Sequence, residues 1–342
     1  MTDSATLIHP MQLGGLSLPH NLALAPMHKR TNLAFRLMAR RWGAAFTYTE
    51  MAVPEDLLDG RRHRGGNRRR GGRLLASTPE DRPLGVQILP VHAGPLVEAI
   101  AMIAETGAGD LIDLNFACPS KKVAGIGVGA AFLRKPEAAV DLVKAAVAAS
   151  RLPVTLKMRY GYTDAADDRR RALDLARAAV AAGAAAITLH ARSAVQGYDE
   201  RAAWERIAEW VEALAPVPVF GSGDLATPEA IMEMLRATGA AGVSIARGSV
   251  GAPWIFRQTL DLAATGAYQP VTPAERGRVF LEHFEALLAA VGEADAVRFL
   301  CHTGRMYAVD IPAAREAQAA IYKARSRDAL YRVAAQYFGP GL

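Results

Sequence analysis

Between residues 22 and 246 the chain repeats one pattern eight times: a short apolar run of strand length, then a stretch with helical periodicity. The runs span 22–25, 46–49, 84–88, 111–115, 154–158, 186–190, 217–221 and 242–246. Apolar runs of four to six residues that alternate with amphipathic helices suit parallel strands joined by crossover helices. Eight such units predict a closed (β/α)8 barrel, the TIM-barrel member of the α/β class. The helices between are well punctuated. Pro136 opens one over 136–150, another over 167–182 runs into Gly183, and Thr227-Pro228 caps one that stops at Gly239. An open doubly wound sheet would need a glycine-rich dinucleotide turn after the first strand, and Ala25-Pro26-Met27-His28 has none.

From about Thr272 the strands cease. Segments 273–291, 293–307, 313–324 and 327–338 read as helices. The expected organisation is therefore a barrel domain over 1–265 and a small all-helical domain over 273–342. With 342 residues, 51% of them hydrophobic, the chain can bury a substantial core. Two cysteines make no disulfide framework, no Cys/His group has zinc spacing, and no stretch approaches the roughly 20 apolar residues that span a bilayer. No signal-peptide pattern opens the sequence, so the expected address is the cytoplasm.

Charge is concentrated. Residues 60–73 hold seven arginines among glycines, a composition that suits phosphate oxygens, the alternative being a solvated loop. Lys323, Arg325, Arg327 and Arg332 form a second basic group along a helix. Polar residues also recur at one end of the strands, where barrel enzymes do chemistry. These are Pro26 and Met27 after the first, Gln87 on the third, Asn115 and Cys118 after the fourth, Lys157 and Arg159 on the fifth, and His190 and Arg192 on the sixth. Ser222, Gly223 and Asp224 follow the seventh, and Arg247 and Gly248 the eighth. A lone cysteine is often only a small buried hydrophobe. At neutral pH, however, a thiol of ordinary pKa near ~8.5 keeps its proton and can serve as a donor. Glycine-rich turns after the last two strands suit a phosphorylated cofactor, and Lys157 with His190 could stabilise negative charge on an electron-rich ring such as a flavin.

The motifs Leu24-Ala25-Pro26-Met27, Asp113-Leu114-Asn115 through Cys118-Pro119, Leu156-Lys157-Met158-Arg159, Thr188-Leu189-His190-Ala191-Arg192 with Gln196-Gly197-Tyr198, Gly223-Asp224, and Ala246-Arg247-Gly248 with Pro253-Trp254-Ile255-Phe256 run through nearly the whole chain. In their order and spacing the sequence resembles the bacterial tRNA-dihydrouridine synthases, within them the nitrogen-regulation-like branch. The resemblance implies an FMN-containing barrel followed by a helical tRNA-binding domain. NADPH would reduce the flavin, whose N5 would pass a hydride to C6 of a uridine while Cys118 delivers a proton to C5. By position, Pro26, Met27, Gln87, Lys157, His190, Ser222, Gly223, Asp224, Arg247 and Gly248 would bind the cofactor. Asn115, Arg159 and Arg192 would lie on the substrate side. A uracil must leave its stack to meet a flavin, so basic surfaces that hold the flanking RNA are expected. No metal and no membrane are expected, and a monomer is the expected state.

The chain departs from the family pattern at Ala117, Ala191 and Ser222, and with Cys301-His302-Thr303-Gly304-Arg305 where a more basic stretch is usual. A methyl at 117 or 191 would crowd the cavity if the backbone there had positive φ. Two other substrates fit the same chemistry: ribosomal or another RNA, and a free pyrimidine-like ring. An RNA-binding barrel without catalysis is a third reading.

Overall fold

The computed structural model describes residues 7–62 and 73–339, so most of the arginine tract lies outside the described residues. A hairpin of β1 (Met11–Leu13) and β2 (Leu16–Leu18) precedes eight parallel strands: β3 (Leu22–Leu24), β4 (Thr47–Tyr48), β5 (Leu84–Ile88), β6 (Leu111–Phe116), β7 (Val154–Arg159), β8 (Ala186–His190), β9 (Val219–Ser222) and β10 (Gly242–Ile245). They hydrogen-bond in the order β3-β10-β9-β8-β7-β6-β5-β4. A bridge between Ala23 and Phe46, with Leu24 N donating to Phe46 O at 3.0 Å, joins β3 to β4. The result is a TIM barrel with helices between the strands. β9 begins two residues later than its apolar run, because Pro218 has no N–H to give to the ladder.

Side chains alternate along each strand, so inward positions stack in layers. The lowest layer is apolar: Phe46, Tyr48, Leu111, Ala186 and Phe220 pack with Leu13 and Leu18 of the hairpin, which plugs that end of the barrel. The hairpin was not foreseen from the periodic pattern, as its strands are only three residues each. Moving two residues up each strand gives a polar layer that includes Gln87, Asp113, Thr155 and Thr188, all buried. Two more reach Asn115, Lys157 and His190 at the C-terminal mouth.

Helix ends follow local chemistry. Thr227 accepts from Ala230 N at 3.2 Å, Pro228 fills the first turn, and Gly239 closes that helix at φ 66°. Thr272 and Glu275 form a reciprocal capping box at the start of Pro273–Val291. The C-terminal helices Pro273–Val291, Glu293–Thr303, Ala314–Lys323 and Arg327–Tyr337 surround their own buried cluster, with Phe280, Phe284, Leu300 and Leu330 at its centre. Ala34, Met38 and Trp254 of the barrel join that cluster, so the two cores meet. The helix expected over 293–307 stops at Thr303 and tightens into a 3-10 turn, Gly304–Ala308. Gly304 lies so near Phe280 that a Cβ would stand 2.8 Å from its ring. Arg73, at the far end of the arginine tract, pairs with Asp295 of these helices at 3.2 Å.

His283 sits in this second core, 3% exposed, with Nδ1 3.1 Å from the Tyr307 hydroxyl and Nε2 without a partner among the described residues. Burial lowers its pKa to about 4. The folded state keeps the ring neutral where the unfolded chain, titrating near ~6.5, takes up a proton. Stability from this residue is therefore full above pH 6.5 and lost as pH falls toward 4. We expect it to account for roughly 2–3 kcal/mol between pH 7 and 4.5, measured by urea unfolding. His283→Phe should flatten that part of the profile.

Candidate active site

The C-terminal mouth of the barrel gathers the polar strand ends. Asn115, last but one on β6, closes the turn that carries the thiol: its Oδ1 accepts from Ala117 N at 3.1 Å and Cys118 N at 2.9 Å, while its Nδ2 donates to Gln87 Oε1 at 2.9 Å. Cys118 is half-buried, its Sγ 3.6 Å from Ser120 Oγ, and Ser120 in turn caps the short helix Lys121–Gly125. Behind the turn, Gly129 at φ 62° approaches so closely that a Cβ would lie 2.8 Å from Cys118 O. The thiol therefore stands on a turn pinned from two sides.

Arg159, at the end of β7, donates Nε to Ala117 O at 2.8 Å and Nη1 to Ser193 O at 2.7 Å, bridging the loops after β6 and β8. Arg192 is 1% exposed. Its guanidinium reaches Asp224 at 2.7 and 2.9 Å and the carbonyls of Glu200 and Tyr198. Arg192 thus braces the site, holding the 193–203 loop and Asp224 together through Nε and Nη2, while its Nη1 has no partner among the described residues. Asp224, expected beside a phosphate, spends its carboxylate on Arg192 and on Ala202 N at 2.8 Å. Arg247 is the exposed cation of this group, 3.7 Å from Asp224 and 4.2 Å above the ring of Tyr198.

Burial shifts the protonation of Lys157 and His190 in the mouth. Burial pushes Lys157 down to about 8, opposed by the charge of Asp113. His190 is held well below the ordinary histidine range by burial, helped by Lys157, Arg159, Arg192 and Arg247, so its ring is neutral near pH 7.

A cavity of about 760 Å³ opens over the β8–β10 side of the mouth and runs toward Arg276, Met306 and Asp310 of the C-terminal helices. Among the expected cofactor residues it brings together His190, Ser222, Gly223, Asp224, Arg247 and Gly248. Gln87 and Lys157 stand on the other side of the mouth. Met27, half-buried in the loop after Pro26, is held there by Thr31 and packs on the barrel core. Two buried polar atoms on the cavity wall have no partner among the described residues: His190 Nε2 and Ser244 Oγ. Orphans of this kind mark a place where a polar ligand belongs. The glycines agree. A Cβ at Gly248 would lie 2.0 Å from Leu225 O, and one at Gly223, φ 131°, would lie 2.9 Å from Ala202 Cβ. These glycines let the loops after β8, β9 and β10 pack against one another to form the wall, and with the two orphaned polar atoms the residues present fit a phosphorylated aromatic cofactor. Gly248→Ala should displace this segment and cost most of the bound flavin, read as the ratio of visible to protein absorbance after purification.

Neither Ala117 nor Ala191 has positive φ, so the methyls that replace glycine are unstrained. Among the described residues no cluster of His, Cys, Asp and Glu could hold a metal, and no helix is long and apolar enough to cross a membrane.

The match to known proteins covers these same elements. A family model for dihydrouridine synthase aligns with residues 23–336. The chain belongs to the dihydrouridine synthase family. As a member it is an enzyme, a flavin-dependent oxidoreductase. The chain is 37% identical over 300 residues to a probable tRNA-dihydrouridine synthase of Treponema pallidum, covering 85% of each chain. It is 33% identical over 329 residues to tRNA-dihydrouridine synthase B of Pseudomonas aeruginosa, covering 96% of each. Among solved structures, histamine dehydrogenase from Rhizobium sp. 4-9 superposes with TM-score 0.57 and 13% identity, over 83% of this chain and 51% of that one. A 2-naphthoyl-CoA reductase does so with TM-score 0.58 and 10% identity, over 75% and 52%. The chain spans about half the length of those two, and they support the barrel fold alone.

Sequence reasoning placed Asp113 in a motif but gave it no role, and it did not name Ser244. Both are small polar residues inside apolar strands, where only the parity of inward positions marks them. The dihydrouridine synthase motif around Tyr198 was visible, but its contact with Arg247 was not.

Proposed function

We propose that this enzyme reduces a uridine of tRNA to 5,6-dihydrouridine, with FMN as its flavin, NADPH as the reductant and Cys118 as the proton donor. The observation that carries the reading is the thiol of Cys118, half-exposed on a turn pinned by Asn115 at the mouth that also holds the cofactor-shaped cavity. The relatives named tRNA-dihydrouridine synthase support the substrate.

Gly223, Gly248 and Arg247 would hold the cofactor phosphate, with His190, Ser244, Lys157, Gln87 and Met27 around its ring. When bound, the flavin would supply the hydride for C6 of the uracil. The chain's own part is the other half. Cys118 presents its Sγ–H to C5, and general-acid transfer of this kind contributes typically ~10²–10⁴-fold. Lys157, cationic below about pH 8, and Arg159 keep the local field positive where the ring gains negative charge. Neutral His190 can donate one hydrogen bond and accept another without adding to the cationic crowd. Asn115 and Arg159 fix the Cys118 turn, and Arg192 the opposite loop.

The barrel over 1–265 would carry the chemistry and the helices over 273–342 the RNA. Lys323, Arg325, Arg327 and Arg332 are exposed there. Where the chain departs from the more basic family stretch, His302 packs edge-on to Tyr322 at 5.5 Å and Arg305 lies over the same ring at 5.2 Å. Tyr322 is 45% exposed, and an exposed ring among cations is a stacking platform for an unpaired base. Such an enzyme would work in the cytoplasm as a monomer.

Purified protein should show the absorption of oxidised flavin and, with NADPH, form dihydrouridine in tRNA from cells that lack it. Mass spectrometry of digested tRNA reads the product. Turnover on ribosomal RNA or free uridine with none on tRNA would overturn the substrate assignment.

A further inference from the structure

Beneath the mouth, Asp113 on β6 is 1% exposed and lies on no surface a substrate could reach. Its Oδ2 accepts from Gln87 Nε2 at 2.7 Å and its Oδ1 from Thr155 Oγ1 at 2.7 Å. Gln87 Oε1 therefore faces upward, where it accepts from Asn115 Nδ2 at 2.9 Å. Asn115 Oδ1 is then left for the amides of Ala117 and Cys118. An amide side chain can satisfy this row in either orientation, but an ionised carboxylate only accepts. Placed at the foot of the row, it dictates which way each amide above it turns.

We propose that Asp113 is a positioning residue that, through Gln87 and then Asn115, sets the turn on which the Cys118 thiol stands. The inference rests on the assignment of Cys118 as proton donor only for its effect on turnover. Two details support it. Burial raises the Asp113 carboxyl to about 6 against the hydrogen bonds of Gln87 and Thr155 and the charge of Lys157, so it is ionised, and acceptor-only, at neutral pH. The strand register also sets Gln87 beside Asp113, so the first link is built into the sheet itself.

The row predicts a specific rescue. Asp113→Asn removes the obligatory acceptor, and Gln87→Glu sets two carboxylates against each other. The double variant Asp113→Asn with Gln87→Glu restores the pattern in mirror form: the new amide donates to the new carboxylate, which still accepts from Asn115 Nδ2. Two readouts apply. One is the rate at which iodoacetamide alkylates Cys118, followed by peptide mass spectrometry, with buried Cys301 as internal reference. The other is kcat and KM on tRNA.

Each single change should raise Cys118 alkylation relative to Cys301 and lower kcat, both by about tenfold, the equivalent of roughly one hydrogen bond. KM should stay in place, and the double variant should bring the Cys118 alkylation rate back to within about twofold. If a single variant unfolds, alkylation of Cys301 rises with that of Cys118, and the double variant alone decides. Recovery supports the row. A double variant no better than either single, or singles that leave Cys118 alkylation unchanged, overturns it. Alkylation does not depend on what Cys118 does in turnover. If Asp113→Asn raises alkylation yet leaves kcat unchanged, the proton-donor assignment is what fails and the row stands.

Discussion

Cys118→Ala is expected to lower dihydrouridine formation by about 10²–10⁴-fold while the protein stays yellow. The fold has little stake in the sulfur. The turn is held through the main chain, with Cys118 N donating to Asn115 and Cys118 O accepting from Ala130 N at 3.0 Å, and alanine keeps both bonds. The lost side-chain contact is one weak 3.6 Å approach to Ser120. Cys118 is not on the wall of the β8–β10 cavity, so flavin content should be unchanged. Single-turnover reduction of tRNA, with flavin content measured alongside, separates the two properties. A variant that turns over at the parent rate would remove the thiol from the reaction.

The largest stability effect is expected at the Arg36–Asp81 pair, where Asp81→Ala or Arg36→Leu should cost about 3–5 kcal/mol. Both side chains are almost fully buried. Arg36 donates Nε and Nη2 to Asp81 at 2.8 to 3.2 Å, and its remaining donors go to Thr31 O at 2.8 Å and Ala76 O at 2.6 Å. Asp81 also accepts from Thr47 at 3.2 Å and Ser77 at 3.1 Å. The pair thus clips the helix Leu33–Arg41 to the chain that returns from the arginine tract toward β5. Removing either partner strands the other charge in a dry interior, which is where the cost arises. Replacing both by apolar residues of matched volume should recover much of it. Urea unfolding midpoints at constant slope give the measurement. A loss below about 1 kcal/mol for either single change, the range of an exposed pair, would show that water reaches the site.

Much of the barrel was legible because its signals are local. Six-residue Leu111–Phe116 is buried at every position, as a strand covered on both faces in a parallel sheet should be, with only Asp113 and Asn115 polar. Thr227, Pro228 and Gly239 mark a helix from within that helix. The mouth was legible for a related reason: in a parallel barrel every strand points the same way, so polar residues at run ends converge. The hairpin of Met11–Leu13 and Leu16–Leu18 was not legible. Three residues are too few to show a period, and its role as a plug depends on Leu111, Ala186 and Phe220 far along the chain.

The order of residues alone settled the family, the eightfold repeat and the candidate thiol, since each depends on the spacing of neighbours. Three-dimensional packing decided which polar groups remain available to a ligand. Arg192 and Asp224 read as separate strand ends in one dimension, yet across 32 positions they bind each other. Asp113 looks like strand filler, yet it supports the row beneath Cys118. The reason is physical: a buried hydrogen-bonding group must find a partner, and which partner it finds is set by the register of the strands.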